Sequence, residues 1–298
     1  MNTIKEIKNA GHFIFPTGNL QVLVITDGSF KMENIQPIFA PDADPDKITE
    51  FLTDNFYTPG ELTLAGNILV VKTDSRIILF DTGSGAQLFT TAGKLIENLA
   101  AAEIAEQDIT DIVITHAHPD HIGGFIHSDG SPAFQTADVH ISRIEFDYWM
   151  NENIDLSNES LNDTTRMSIE FARKHISVVQ DRLRFFEDNE VLFNCLKLEL
   201  APGHTPGHTI TTIFSEGEEL VHMADTFQHI LLLAHPEWGS LIDSDFELAV
   251  SSRKNMGNQW ASEKKLIFGD HLPFPGLGYI KKSGDGFEWV PKAFFTTQ

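Results

Sequence analysis

The chain has 298 residues, 41% of them apolar, enough for one large domain or two small ones with a sizeable core. Its 43 acidic residues outnumber the 21 basic ones, giving a formal charge of −22. That balance argues against nucleic acid and anionic membranes as partners, because both are bound through basic patches.

Residues 1–15 mix polar and apolar side chains without the continuous apolar run of a signal peptide. No later stretch approaches the roughly 20 apolar residues of a membrane span. The cytoplasm is therefore the default expectation, although a mature protein trimmed of a leader would look similar. Runs 13–15, 20–26, 67–73 and 76–81 carry strand signals. Between them, 42–57 is acidic and Pro-punctuated, with Ile48, Phe51 and Leu52 at helical spacing. A helical pattern through Leu95, Ile96, Leu99 and Ala100 leads to a β-branched strand at 111–115. Further along, 138–142 reads as a strand and 143 to about 180 as helix, with an aromatic run at 144–150. Strands follow at 191–200, 209–214 and 219–224, a helix at 245–256 and a strand at 266–268. The single cysteine, Cys195, cannot form an internal disulfide; its apolar surroundings point to a packed thiol rather than a nucleophile. Strands cluster in two groups, each followed by helices, so the expected fold is α/β, an αββα sandwich of two sheets. No linker or repeat divides the chain. The expected organisation is one hydrolase domain over 1–298, with an N-terminal extension, about 1–65, covering the site.

The most informative segment is 115–121, Thr-His-Ala-His-Pro-Asp-His. It places His116, His118, Asp120 and His121 on one tight turn after a strand. Imidazole and carboxylate are the donors that borderline metals such as zinc prefer, and crowded imidazoles without a partner are costly to bury. Three more strand-like runs end in the same chemistry. His204 and His208 lie in the turn 201–208, Asp225 ends the run 221–225, and His271 ends 268–271. If these strand ends share one edge, the donors suffice for two metals.

These motifs, in this order from Asp81 to His271, resemble the metallo-β-lactamase superfamily. The resemblance implies that His116, His118 and His204 hold a first metal, that Asp120, His121 and His271 hold a second, and that Asp225 bridges them. It favours His204 over His208 as the ligand. It also gives Asp81 a supporting role behind the ligands, beside the plainer reading of a turn cap. Two divalent ions are implied, zinc first, although the same donors accept Mn, Co or Fe. The stretches 235–238 and 271–278 are similar to the branch holding N-acyl-homoserine lactone lactonases and methyl-parathion hydrolase. True β-lactamases lack the bridging acid. Oxygen-reducing diiron members carry Glu where His118 stands. Nuclease members need an inserted domain and basic surface, and glyoxalase-type members a basic helical C-terminal region.

The expected activity is dinuclear-metal hydrolysis of the lactone ring of N-acyl-homoserine lactones, which is quorum quenching. A bridging hydroxide attacks the carbonyl, and the metals stabilise the oxyanion. Phosphotriester hydrolysis is the alternative. A metal-dependent binding or redox protein is a third reading, disfavoured by His118 and by the lack of a flavin domain. Asp120 is the expected proton carrier. Many of the lactonases have a Tyr three residues after the bridging acid; Gln228 stands there, so His229 or a water is expected to substitute. Phe56, Tyr57, Trp149, Phe227, Gln228 and Trp238 are the candidate pocket for a small neutral substrate, with core packing the competing reading for the aromatics. The N-terminal excursion and the aromatic run 144–150 are expected to pack against a second copy, as a homodimer.

Overall fold

The structure, a computed structural model, describes residues 10–154, 156 and 163–295. Two seven-stranded sheets are stacked, and each follows chain order from edge to edge. The first comprises β1 (His12–Thr17), β2 (Leu20–Met32), β3 (Leu62–Lys72), β4 (Ile77–Phe80), β5 (Asp111–Val113), β6 (Asp138–Ser142) and β7 (Leu183–Phe186). The second comprises β8 (Val191–Leu192), β9 (Leu196–Leu200), β10 (Thr209–Ser215), β11 (Glu218–His222), β12 (Leu266–Phe268), β13 (Leu277–Ser283) and β14 (Gly286–Pro291). The helices are α1 (Pro45–Asp54), α2 (Gly85–Leu88), α3 (Leu95–Ala101), α4 (Pro119–Ile122), α5 (Arg143–Trp149), α6 (Asp163–Val178), α7 (Ile230–Ala234) and α8 (Phe246–Glu263). The expected αββα sandwich is the observed fold.

Alternation along β2 shows how the layers are built. Val22 and Val24 pack between the sheets, with Phe80, Val113, Leu198, Ile213, Leu220 and Phe268. Leu23 and Ile25 point the other way, into a cluster with Leu99 of α3, Trp149 of α5 and Ile176 of α6. Successive strand residues face opposite sides, so a strand buried on both faces is continuously apolar. A third cluster lies on the outer face of the second sheet, beneath Leu52, Leu232 and Trp260.

The connections decide where the site lies. β4, β5, β6 and β7 are mutually parallel, as are β11 and β12, and helices fill the crossovers. Parallel strands joined this way end at the same edge of their sheet. Asp81 follows β4, the 116–121 turn follows β5, Glu145 lies in α5 just after β6, Asp225 lies beyond β11, and His271 lies beyond β12.

The N-terminal part differs from the expected extension. β1 and β2 are integral strands of the first sheet: β1 pairs antiparallel with β2, and β2 with β3. Among the described N-terminal residues, the long segment outside the sheets is 33–61, and it carries α1, whose Ile48 and Leu52 are buried. Residues 1–9 lie outside the described residues, as do 155 and 157–162 within the expected long helix of 143–180. That helix is two elements, α5 and α6. The aromatic run does not form a surface patch: Phe146, Tyr148, Trp149 and Met150 pack onto the first outer cluster, and only Ile144 is a large exposed apolar side chain. No helix among the described residues is long and apolar enough to cross a membrane.

Candidate metal centre

The seven expected ligands converge where the strands end. Around one point, His204 Nε2 lies 2.9 Å from His118 Nδ1 and 3.2 Å from His116 Nε2. Asp225 Oδ2 completes this set, 3.2 Å from His204 Nε2 and 3.9 Å from His116 Nε2. Around a second point, Asp225 Oδ1 lies 3.3 Å from His121 Nε2 and 3.1 Å from His271 Nε2. Asp120 Oδ2 is 3.7 Å from the former nitrogen and 3.5 Å from the latter. One carboxylate thus gives one oxygen to each set. Tetrahedral zinc with bonds of about 2.0–2.1 Å requires donors about 3.3 Å apart. The donor spacing and the O/N chemistry both fit a pair of divalent cations. So do two buried atoms left without a hydrogen-bond partner, His121 Nε2 and Asp225 Oδ1.

Groups behind the ligands set which nitrogen faces inward. His121 Nδ1–H donates to Asp81 Oδ2 at 2.8 Å. His116 Nδ1–H donates to Thr115 Oγ1 at 3.1 Å, and that hydroxyl donates to Asp81 at 2.7 Å. His271 Nδ1–H donates to the Ala65 carbonyl at 2.8 Å, and His204 Nδ1 lies 2.8 Å from Asp243 Oδ1. Each arrangement leaves Nε2 as the inward donor; His118 alone presents Nδ1. Asp81 itself sits at φ +60° in its Asp-Thr-Gly turn, a left-handed conformation that Asp tolerates better than most residues. It is therefore both turn residue and support. His208 is not in either donor set. Its Nδ1–H donates to the Ala201 carbonyl at 3.0 Å, and its Nε2 accepts the Asp225 amide at 3.0 Å, which holds the bridging acid from its backbone.

Glu145 was not singled out from sequence, yet it ties the site together. Its buried carboxylate accepts from the Ala117 amide (2.8 Å), Trp149 Nε1 (2.6 Å), Thr205 Oγ1 (2.6 Å) and the Gly207 amide (3.0 Å). It thereby joins the turn that carries His116 and His118 to the loop that carries His204. A lone Glu in an aromatic run has no ligand pattern to mark it. The glycines nearby are close-packing residues: a Cβ on Gly207 would come within 2.3 Å of the Glu145 amide, and one on Gly124 within 2.0 Å of the Thr82 carbonyl.

Charge within the cluster is uneven. Burial, aided by the neighbouring imidazoles, lowers His116 and His118 well below the usual histidine range. Burial acts the same way on His204, but the carboxylates of Asp225 and Asp243 outweigh it and push it up to about 9. Asp225 and Asp120 similarly raise His271 to about 9 against the effect of burial. Burial would raise Asp225, yet His271 and His121 hold it well below the usual carboxylate range.

The expected pocket residues divide. The Trp149 ring meets His118 edge-on at 5.5 Å, with its N–H committed to Glu145, so it offers the centre an apolar ring. Gln228 is buried, with its side-chain amide 3.1 Å from His204 Nδ1, so it packs behind His204 rather than lining open space. Phe227 is core, packed on Trp260 and Phe287. Phe56 is 99% exposed. Trp238 stacks on His235 at 3.8 Å. His229, expected as a catalytic group, caps α7 by accepting the Leu231 amide at Nδ1, while Nε2 is buried without a partner. Burial lowers it to about 4, and Tyr57 covers its ring at 5.1 Å. Neither ring nitrogen contacts the seven converging residues. Missed from sequence was an aromatic pair beside the second set. Phe30 meets His271 edge-on at 5.6 Å and stacks on Phe89 at 4.4 Å.

Comparison with known proteins agrees with this geometry. Residues 63–271 match the profile of the metallo-beta-lactamase superfamily. The structure is similar to that of AidC, a dizinc quorum-quenching lactonase solved with a product N-acyl-homoserine, at 38% identity and a TM-score of 0.90. That likeness covers 96% of this chain and 99% of that one. It is also similar to the hydrolase AbOPH, at 25% identity and a TM-score of 0.87 over 97% of this chain and 100% of that one. A probable metal-dependent hydrolase from Staphylococcus aureus shares the fold at 18% identity and a TM-score of 0.71 over 95% and 100% of the two chains. No curated protein matches the sequence significantly. The chain belongs to the metallo-beta-lactamase superfamily, and it is a metal-dependent hydrolase.

Two outcomes follow from the site. Glu145→Gln places an amide NH₂ against buried donors and should cost about 2–4 kcal/mol in denaturant unfolding; an unchanged midpoint would remove Glu145 as the tie. His204 and His271, raised to about 9, hold protons at pH 7 until a cation displaces them. Cation uptake should therefore release protons and tighten as pH rises toward 9. Calorimetric titration at pH 7 in buffers of different ionisation enthalpy measures that release, and buffer-independent heats would contradict it.

Proposed function

We propose that this hydrolase opens the lactone ring of N-acyl-homoserine lactones, with zinc at both positions of the centre. The observation that carries the reading is the Asp225 carboxylate, which gives one oxygen to each of two buried donor sets. The similarity to AidC, a dizinc quorum-quenching lactonase, supports the substrate class. Bound there, two divalent cations supply a nucleophile from water at neutral pH and Lewis acidity toward a carbonyl oxygen.

The chain's own residues account for the rest. His116, His118 and His204 would hold one cation, Asp120, His121 and His271 the other, and Asp225 both. Ring opening adds water across the C–O ester bond, so the leaving alkoxide must gain a proton. Asp120 suits that task, because its side chain is 20% exposed while that of Asp225 is 6% exposed. Its carboxylate lies against the cluster while keeping partial contact with solvent. Phe89, half-buried and stacked on the buried Phe30 beside His271, is the aromatic near the donors with apolar surface left for a neutral acylated ring, while Trp149 packs behind His118. The acidic surface, with a formal charge of −22, suits a neutral substrate and an anionic product that must leave. The same aromatic surface favours an aryl phosphotriester as the second reading, since both reactions use one nucleophile and two Lewis acids.

The deciding measurement is kcat/KM for N-acyl-homoserine lactones of several chain lengths beside methyl parathion, on protein of known zinc content. Lactones are expected to win; a strong preference for the triester reverses the order, and no turnover of either sinks the reading. Asp120→Asn, checked to retain two zinc ions, should lower kcat by about 10²-fold or more. Near-normal kcat in that variant would remove the proton-carrying role.

A further inference from the structure

His204 is held from behind by a charged pair that the ligand motifs do not contain. Its Nδ1–H donates to Asp243 Oδ1 at 2.8 Å. Asp243 in turn accepts from Arg253 through both carboxylate oxygens, at 2.9 and 2.7 Å. Neither side chain of this pair is more than 1% exposed. Arg253, from α8, also donates Nε–H to the Thr226 carbonyl at 2.9 Å, on the residue after Asp225. The segment around Asp243 is bound to the same loop, because the Ser244 and Asp245 amides donate to the His204 and Gly203 carbonyls at 2.9 Å each. One guanidinium therefore reaches the backing of one ligand and the backbone beside another.

The second donor set is backed differently. Asp81 behind His121 accepts from the Thr115 amide, the Thr115 hydroxyl and His121 itself. Among the described residues, no guanidinium or ammonium group pairs with it. A carboxylate behind a ligand imidazole fixes its tautomer and ring orientation and raises its basicity. A guanidinium gripping that carboxylate adds rigidity and removes much of its charge.

We propose that Asp243 and Arg253 are positioning residues for the cation held by His116, His118 and His204. Asp243 fixes the rotation of His204 with Nε2 inward, and Arg253 locks that carboxylate to the backbone beside the bridging Asp225. This rests on the two-cation reading of the centre. It makes the two positions unequal: one is set by a neutralised, rigid pair, the other by an uncompensated carboxylate.

The experiment is a competitive zinc titration with a chromophoric chelator that resolves two affinities, with zinc content checked by elemental analysis. Asp243→Asn should weaken one of the two by about 10- to 100-fold and leave the other near its wild-type value. Asp81 backs His121 directly and His116 only through the Thr115 hydroxyl, so Asp81→Asn should weaken mainly the other affinity, and the double variant both. Arg253→Lys keeps the charge but loses the two-point grip and the reach to Thr226, so it should weaken the same affinity as Asp243→Asn, to a smaller extent. Asp243→Asn with both affinities unchanged, or both lowered alike, overturns the proposal. Should that variant fail to fold, Arg253→Lys decides in its place: a selective loss supports the pair, and unchanged affinities overturn it. A wild-type protein that takes up fewer than two zinc ions overturns the two-cation reading itself, a result distinct from variants that match a two-zinc parent.

Discussion

Imidazole nitrogens 2.9 and 3.2 Å apart, aimed at one another and shut away from water, form the constraint on which this structure turns. Lone pairs so placed repel, and buried polar atoms without partners carry a desolvation cost. A shared cation, or failing that a shared proton, relieves both. The Asp225 carboxylate joins two such groups into one unit by facing each with a different oxygen.

Holding that arrangement takes most of the fold. Parallel strands bring their ends to one edge, and the packed layer between the sheets keeps those ends in register. Around the donors lies a shell of hydrogen bonds in which almost every member has a single geometric task. Asp81 aims His121 and pins Thr115, His208 holds the Asp225 amide, and Glu145 clamps two loops at four donors. Burial pushes the Glu145 carboxyl up even with those four bonds, so satisfying it so fully is what makes a buried acid tolerable here.

The differences within the cluster matter for chemistry. Asp225 is enclosed and held well below the usual carboxylate range by His271 and His121. Asp120 belongs to the same donor group but keeps contact with solvent. Trp149 shows how a polar handle is taken out of play. With its N–H tied to Glu145, it meets His118 as a plain aromatic edge.

The seven converging residues stood out in sequence because metal binding demands particular atoms, and the 116–121 turn concentrates four such side chains within six residues. Asp225, His271 and the 201–208 turn were legible because each lies where a strand-like run stops, and strand ends are where such folds collect side chains; the preference for His204 over His208 came from the family resemblance. The two-layer architecture followed from strand-like runs that cluster in two groups along the chain, each followed by helices. The β13–β14 hairpin escaped notice because the polar run 281–285 separates its apolar positions into two short stretches on either side of the turn. Only the tertiary structure decided the roles of Glu145, Asp243, Arg253 and His229, and the fates of Phe56 and Phe227. An aromatic or a carboxylate has the same local pattern in a core, a cap or a pocket. What separates those roles is which distant segment lies against it, and that is settled when the sheets stack.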